Sequence, residues 1–172
     1  MLRSLWLAMC VPLSIGIATM NIYLAGPLFS EAERDWMKKL KGQIESYASK
    51  SGRTVRVIWP YELITQEEID ALGESAKHEI FSRCVSHLDD TDLVIALLDG
   101  SQVDDGTAWE IGYYYALKRG QIIGVRTDFR RAGESEGAKV NSMIECSCYS
   151  MVQSVEKLFR VLEIGFQKEL TK

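Results

Sequence analysis

The sequence lacks the residues and spacings on which several common site chemistries depend. It has only two histidines, and its four cysteines include no Cys-x-x-Cys pair, so neither a zinc site nor a disulfide framework is indicated. Neither Gly-x-Gly-x-x-Gly nor Gly-x-x-x-x-Gly-Lys-Ser/Thr occurs, which removes the main support for a dinucleotide or P-loop site. The net charge of −4 argues against a nucleic-acid partner. We therefore expect a reduced, cytoplasmic protein without a zinc site.

One long apolar run is present, from Leu5 to Met20. A signal peptide is the literal interpretation, but no convincing small-x-small cleavage site follows the run. The run also contains Pro12 and Gly16 and is short for a membrane span. Because the folded domain begins directly after it, we prefer Met20 as the natural start and residues 1–19 as an upstream hydrophobic extension. A genuine signal or membrane anchor, which would make the protein exported or tethered, is the alternative.

Apolar strands alternate with helices along residues 20–172, which we take as one domain. The patterns predict strands at 21–25, 54–59, 92–98, 121–126 and near 147–152, and helices at 31–50, 66–72, 75–88, 107–119 and 154–169. This order predicts a three-layer α/β/α domain with a flavodoxin-like or Rossmann-like parallel sheet of about five strands. Functional loops are expected at the carboxyl ends of the strands, over 26–30, 60–65, 99–106 and 127–141.

The acid-rich segment LDGSQVDDGTAWEIG follows the third predicted strand. If Asp105 or Thr107 caps the next helix, Glu110 lies in its first turn, where free backbone N–H groups favour the ionised carboxylate. An ionised carboxylate beside a pocket can act as the nucleophile in glycosyl transfer. The alternative is a glutamate that is simply favoured at a helix start. Gly106 and Gly112 leave room for a ligand to approach.

Two further aspartates have both structural and functional interpretations. Asp104 can serve turn chemistry, as Asp-Gly pairs often do, or bind a hydroxyl of a small substrate. Asp92 begins the third strand, and Thr91-Asp92 can simply end the preceding helix. Its position at the amino end of a strand makes a role in a pocket at the carboxyl edge awkward.

Three segments resemble the nucleoside 2-deoxyribosyltransferase family, in the family's order and over about residues 20–170. NIYLAGPLFSEAERDW resembles its opening strand and loop, with a Tyr-x-Ala-Gly-Pro pattern. DLVIALLDG and DDGTAWEIGYYYAL resemble its core signature, an Asp, then Gly-Thr, then the catalytic Glu followed by Gly. VNSMI resembles its Asn-x-Met element.

The resemblance implies roles for the matching residues. Glu110 corresponds to the nucleophile that attacks the anomeric carbon, Tyr23 to the tyrosine that holds it, and Asp104 to the acid that binds sugar hydroxyls. Asn141 and Met143 correspond to residues lent to the site of a neighbouring subunit, which implies a homo-oligomer, a dimer or larger.

The other correspondences are weaker. Asp92 matches less securely an aspartate that handles the proton of the base. Phe29 lies in the loop that stacks on the base, although it can equally staple the first helix. Gly26 and Gly106 fall in the substrate-binding loops.

The implied reaction is a retaining double displacement that exchanges the base of a 2′-deoxynucleoside through a covalent deoxyribosyl-glutamate, with no metal or organic cofactor. Its partners are deoxynucleosides and free nucleobases. The alternatives are an N-glycoside hydrolase of nucleosides or nucleoside 5′-monophosphates, and a non-catalytic nucleoside- or nucleotide-binding module. Asp104 and Asp105 would repel a phosphate, which favours nucleosides. Base preference stays open, because Glu62 and Leu63 stand where relatives often carry an amide or acid that reads the base.

Overall fold

Five parallel strands form the centre of the protein in the computed structural model, which describes residues 19–169 and their side chains to residue 163. The strands are β1 (Met20–Ala25), β2 (Val55–Ile58), β3 (Leu93–Leu97), β4 (Gln121–Val125) and β5 (Ser150–Val152). Their order in the sheet is β2-β1-β3-β4-β5, and all four neighbouring pairs are parallel. This order is that of flavodoxin-like sheets, so the predicted fold class is confirmed.

Six α-helices between residues 19 and 169 cover the two faces of the sheet. They are α1 (Glu31–Lys50), α2 (Gln66–Leu72), α3 (Ala76–Asp89), α4 (Asp105–Leu117), α5 (Ser142–Ser147) and α6 (Val155–Glu169). The helix α5 was not predicted. Because it extends to Ser147, the last strand begins at Ser150 rather than near residue 147. Its start is set by Asn141, whose side chain accepts a hydrogen bond from the Met143 N–H. Six residues are too few to give a helical repeat that a sequence pattern can detect.

The first helix begins where its sequence predicts a cap. The Ser30 hydroxyl accepts from the Glu33 N–H at 3.2 Å, and the Glu33 carboxylate accepts from the Ser30 N–H at 2.7 Å. This reciprocal capping box satisfies two backbone donors that the helix itself leaves free. It therefore fixes the end of the loop that joins β1 to α1.

Alternate residues of β1 enter two separate cores. Ile22 and Leu24 pack among the apolar side chains of α1 and α6, whereas Tyr23 and Ala25 pack on the opposite face with side chains of α3 and α4. All five residues of β3 are buried, as expected for a central strand covered on both faces. The strand period thus places Tyr23 under the helix that carries Glu110.

The N-terminal prediction lies outside the described residues, apart from Thr19. The described chain enters the sheet at once, since the Met20 N–H donates to the Thr54 carbonyl at 3.0 Å. Between residues 19 and 169, no helix combines the length and the apolar character that crossing a membrane requires.

Candidate active site

A cavity of about 740 Å³ opens at the carboxyl edge of the sheet. The loop after β1, the segment between residues 60 and 69, two side chains of α3 and the start of α4 form its wall. The sheet order reverses between β1 and β3, and in parallel α/β proteins the crevice at such a point is the usual ligand site. The topology alone therefore makes this cavity the first candidate.

Glu110 and Tyr23 meet at this cavity. The Tyr23 hydroxyl donates to Oε1 of Glu110 at 2.6 Å, a short distance typical of a hydrogen bond to a carboxylate. The Tyr23 ring is fully buried in the sheet, so its hydroxyl is held in one place. Glu110 lines the cavity, and the tyrosine therefore orients a carboxylate that a ligand can reach.

The helix that carries Glu110 begins earlier than predicted. Asp104, rather than Asp105 or Thr107, is the N-cap of α4, and its Oδ2 accepts from the Thr107 N–H at 2.8 Å and from the Thr107 hydroxyl at 2.9 Å. Glu110 consequently lies in the second turn, beyond the free N–H groups of the helix end. The predicted stabilisation of its ionised form by those groups is therefore wrong.

On balance, the surroundings of Glu110 favour its protonated form and not its ionised form. Burial raises the pKa of Glu110 to about 7, the hydrogen bond from Tyr23 works against this rise, and the charge of Asp104 adds to it. Burial, and then the neighbouring Glu110, raise the pKa of Tyr23 far above its ordinary value, so the phenol stays protonated as the donor. Both the protonated and the ionised form of Glu110 are therefore accessible near neutral pH. A carboxylate poised in this way is typical of active sites.

Asp104 retains a place in the site although it caps the helix. Both capping contacts use Oδ2, and the residue also lines the cavity with Glu110. The structural and the functional interpretation of Asp104 are thus compatible. Gly106 lies beside it, where a Cβ atom would approach Oδ2 of Asp104 to 3.3 Å.

Gly26 lines the cavity at the end of β1. A Cβ atom at this position would lie 2.7 Å from Cε of Met37 and 3.1 Å from Cβ of Leu97. Because both distances are shorter than ordinary contacts, a side chain here would displace the end of the Met37 side chain and press against Leu97. Glycine therefore suits this close approach of the loop to α1 and β3. The same loop carries Phe29, which lines the cavity and is 74% exposed.

Asp92 does not join this site. Its Oδ2 accepts from the Asn21 N–H at 2.8 Å, at the amino ends of β1 and β3. It does not line the cavity, and the buried Tyr114 lies beside it, with its hydroxyl donating to the Thr91 carbonyl at 3.0 Å. Asp92 thus lies at the edge of the sheet opposite the cavity, so this geometry gives no support to its predicted proton-handling role, which stays a prediction.

Asn141 and Met143 also lie away from the cavity of their own chain. Asn141 caps α5, and Met143 follows it with 78% of its side chain exposed. Neither lines the cavity. Their predicted contribution to a neighbouring subunit stays a prediction.

Cys84 is a cavity residue that sequence reasoning missed. It projects from α3 into the wall beside Glu110 and contacts Tyr23. Burial raises the pKa of the Cys84 thiol, so it stays protonated. No local motif marks this position, because Cys84 approaches the other two residues only through the packing of α3 against the sheet. Among residues 19–169, no group of three or more potential ligands is placed to hold a metal ion.

The loops that follow β3 and β4 are fastened to each other. The Asp99 carboxylate accepts from the backbone N–H groups of Thr127 and Asp128, at 2.6 and 2.9 Å. The guanidinium of Arg126, 2% exposed, donates to the carbonyls of Leu98 and Gly100. These contacts restrain the loop that leads from β3 to Asp104. The start of α4 is therefore positioned by the ends of both β3 and β4.

Comparison with known proteins places the chain in a family. The family model for nucleoside 2-deoxyribosyltransferase matches residues 22–143. An uncharacterised protein of Ureaplasma parvum, UU063, is 37% identical over 103 residues, which span 58% of this chain and 61% of that relative. The match thus covers less than two thirds of that relative's length.

Two solved structures share the fold. A conserved protein from Enterococcus faecalis has a TM-score of 0.65 at 27% identity, with 83% of this chain and 96% of that chain covered. A 2-deoxyribosyltransferase from Bacillus psychrosaccharolyticus has a TM-score of 0.61 at 23% identity, with 81% and 90% covered. Since the family model spans most of the described domain, including Tyr23, Asp104 and Glu110, the chain belongs to the nucleoside 2-deoxyribosyltransferase family, a family of glycosyl-transferring enzymes.

Proposed function

We propose that this protein exchanges the base of 2′-deoxynucleosides, with Glu110 as the nucleophile. The observation that carries the proposal is the 2.6 Å contact between the Tyr23 hydroxyl and Glu110 Oε1 at the cavity. A buried tyrosine that orients a reachable carboxylate is suited to covalent glycosyl transfer. A non-catalytic binding module has no need of such a pair.

In the proposed first step an ionised oxygen of Glu110 attacks C1′ of the deoxyribose. The C1′–N bond breaks, its electron pair stays on the departing base, and water supplies the proton that the base takes up. In the second step a nitrogen of another base attacks C1′, the ester bond to Glu110 breaks, and the incoming base loses its proton. Two displacements at one carbon retain the configuration. Asp104 is proposed to bind the sugar hydroxyls during both steps.

Charge at the cavity supports a nucleoside rather than a nucleotide as the substrate. Three acids, Glu62, Asp104 and Glu110, line it, and none of its described lining residues is a lysine or an arginine. A 5′-phosphate placed beside Asp104 and Glu110 would face two carboxylates, and no described lining residue would offer it a cation. We therefore expect deoxynucleosides to react and their 5′-monophosphates to react poorly.

Base exchange is tested with 2′-deoxyinosine, with and without free adenine, and the products are separated by chromatography. We expect deoxyadenosine only when adenine is present, and none from Glu110→Ala. Hypoxanthine released at the same rate without adenine would instead identify a hydrolase. Absence of turnover with every deoxynucleoside would contradict both activities.

Hydrolysis is the second candidate because the cavity is open on its outer side. Phe29 and Tyr61 line it and are 74% and 49% exposed. Water that enters beside them can replace the second base as the acceptor. A neighbouring subunit that covers this side would favour transfer.

An exposed aromatic cluster supports assembly into an oligomer. Trp109 stacks on Tyr113 with ring centroids 5.1 Å apart, and Phe81 meets Trp109 edge-on at 5.4 Å. Phe81 and Trp109 are 55% and 46% exposed. Contiguous apolar surface of this kind is typical of protein–protein contacts. We propose a homo-oligomer in which Asn141 and Met143 complete the site of a neighbour.

Shared sites can be tested by mixing two impaired variants. Glu110→Ala lacks the nucleophile but keeps Met143, whereas Met143→Ala keeps the nucleophile. Met143 is largely exposed, so its loss should not unfold the chain. After the subunits are mixed and allowed to exchange, we expect activity above the sum of the separate variants. Full activity of Met143→Ala alone, or no gain on mixing, would contradict a shared site.

A further inference from the structure

The cavity has two polar ends that come from different strands. Asp104, Thr107 and Glu110, at the start of α4, form the first end, beyond β3. Tyr61, Glu62, Thr65 and Gln66 form the second end, beyond β2. Because β1 lies between β2 and β3, the two ends are about two strand spacings, or roughly 10 Å, apart. This separation suits a nucleoside that lies with its sugar at the first end and the outer edge of its base at the second.

Only one side chain at the second end distinguishes between donors and acceptors. The hydroxyls of Tyr61 and Thr65 can donate or accept, and so can the amide of Gln66, whose Nε2 already donates to Asp70 at 2.8 Å. The Glu62 carboxylate, in contrast, accepts hydrogen bonds and donates none. The preference of this end for one type of base edge therefore depends mainly on Glu62.

Lys41 of α1 holds this carboxylate in place. Its ammonium forms an ion pair with Oε2 of Glu62, and the two side chains are 20% and 46% exposed. Glu62 lines the cavity and Lys41 does not, so the ammonium approaches from outside the cavity wall. The ion pair thus restrains the carboxylate while Oε1 remains outside the contact with Lys41. No described lining residue offers a positive charge to a keto oxygen at this end.

On the basis of the proposed function, we propose that the Lys41–Glu62 pair selects bases that carry an exocyclic amino group, as adenine and cytosine do, over their keto counterparts. An amino group donates to the carboxylate. A keto oxygen in the same position has no proton to donate and places a partial negative charge against a full one. Discrimination of this kind depends on rejecting the wrong base as well as on binding the right one.

The test compares two substrate pairs, deoxyadenosine with deoxyinosine and deoxycytidine with deoxyuridine. Within each pair the bases differ in the exocyclic group and in the proton that only the keto member carries on the adjacent ring nitrogen. Within each pair that reacts, we expect kcat/KM to favour the amino member about 10- to 100-fold. This ratio is smaller than that expected for a fully buried polar contact, because Glu62 is partly exposed. In Glu62→Gln, whose amide also donates, the ratio should fall to a few-fold. In Lys41→Met it should fall in part, and Lys41→Arg should retain it.

Binding of free bases tests the inference separately from the chemistry. Glu110→Ala cannot form the covalent intermediate, and its affinities for adenine and hypoxanthine can be compared by calorimetry with and without Glu62→Gln. Tighter adenine binding that depends on Glu62 would support the inference even if no turnover were found, in which case only the proposed reaction fails. Equal binding of the two bases, or a preference that Glu62→Gln leaves unchanged, would overturn the inference while base exchange could still stand.

Discussion

Glu110→Gln is expected to abolish base exchange and to stabilise the fold at alkaline pH. An amide cannot form the ester with C1′, so we expect kcat/KM to fall at least ~10³-fold, as when other covalent nucleophiles are removed. The variant keeps an oxygen that can accept from the Tyr23 hydroxyl, so the local packing should persist. The loss is measured in the exchange assay with deoxyinosine and adenine.

The expected gain in stability follows from the pKa of Glu110. Burial raises this pKa from its ordinary value of 4.5 to about 7. The native state therefore favours the protonated form, whose contribution to the free energy of unfolding is fully present below about pH 4.5 and is lost as the pH rises through 7. Glutamine is neutral at every pH, so the variant should unfold with a free energy about 1–3 kcal/mol higher at pH 8 and with no such gain near pH 4.

An exposed glutamate provides the matched control for Glu110→Gln. Glu156, in the first turn of α6, has its pKa lowered mainly by a hydrogen bond with Ser154. Glu156→Gln should leave activity unchanged and should give no stability gain at pH 8. If Glu110→Gln and the original protein had the same free energy of unfolding at pH 8, the burial argument for Glu110 would be wrong.

Tyr23→Phe is expected to shift the pH dependence of the reaction. The protein should gain activity as the pH rises through about 7, because ionised Glu110 is the nucleophile. The hydrogen bond from Tyr23 favours that ionised form, so its loss should raise the pKa of Glu110 further and move the rising limb of kcat/KM to higher pH. Hydrogen bonds to charged groups are worth about 1.5–3 kcal/mol, so activity at pH 7 should fall about 10- to 100-fold.

Tyr114→Phe removes the same atom from a second buried tyrosine on the same face of the sheet. Its hydroxyl donates to the Thr91 carbonyl, away from the cavity, at 3.0 Å. We expect this control to lower the melting temperature without moving the pH profile. Profiles of kcat/KM between pH 5 and 9 distinguish the two variants. A Tyr23→Phe profile that is lowered uniformly, with its midpoint unchanged, would show that Tyr23 only supports the packing.

Much of the fold could be predicted because its elements carry local signals. The apolar run of β3 marks a strand buried on both faces, and Ser30 with Glu33 marks a helix start whose capping bonds close within four residues. The alternation of strands and helices then limits the topology to a parallel sheet. Helix α5 and the early start of α4 carry weaker signals, since each depends on one capping side chain, Asn141 or Asp104.

The site could be predicted only where motif and topology agree. Tyr23 and Glu110 stand 87 positions apart, and their pairing came from a family resemblance rather than from spacing. For Asp92 the motif and the topology disagreed: its position at the start of β3 indicated the amino edge, where the structure places it, whereas the family motif suggested a role in the site. Cys84 was missed because nothing in its own helix distinguishes it from an ordinary half-buried cysteine.

The sequence by itself determined the order of strands and helices, the family and the carboxylate most suited to act as the nucleophile. Each of these follows from short-range patterns of side chains or from motifs. Only the tertiary structure decided that Glu110 lies partly buried in the second turn of α4 with its pKa near 7, and that Lys41 of α1 restrains Glu62 at the cavity. Burial, charge and contact depend on which surfaces meet across the sheet, and residues far apart in the chain supply those surfaces.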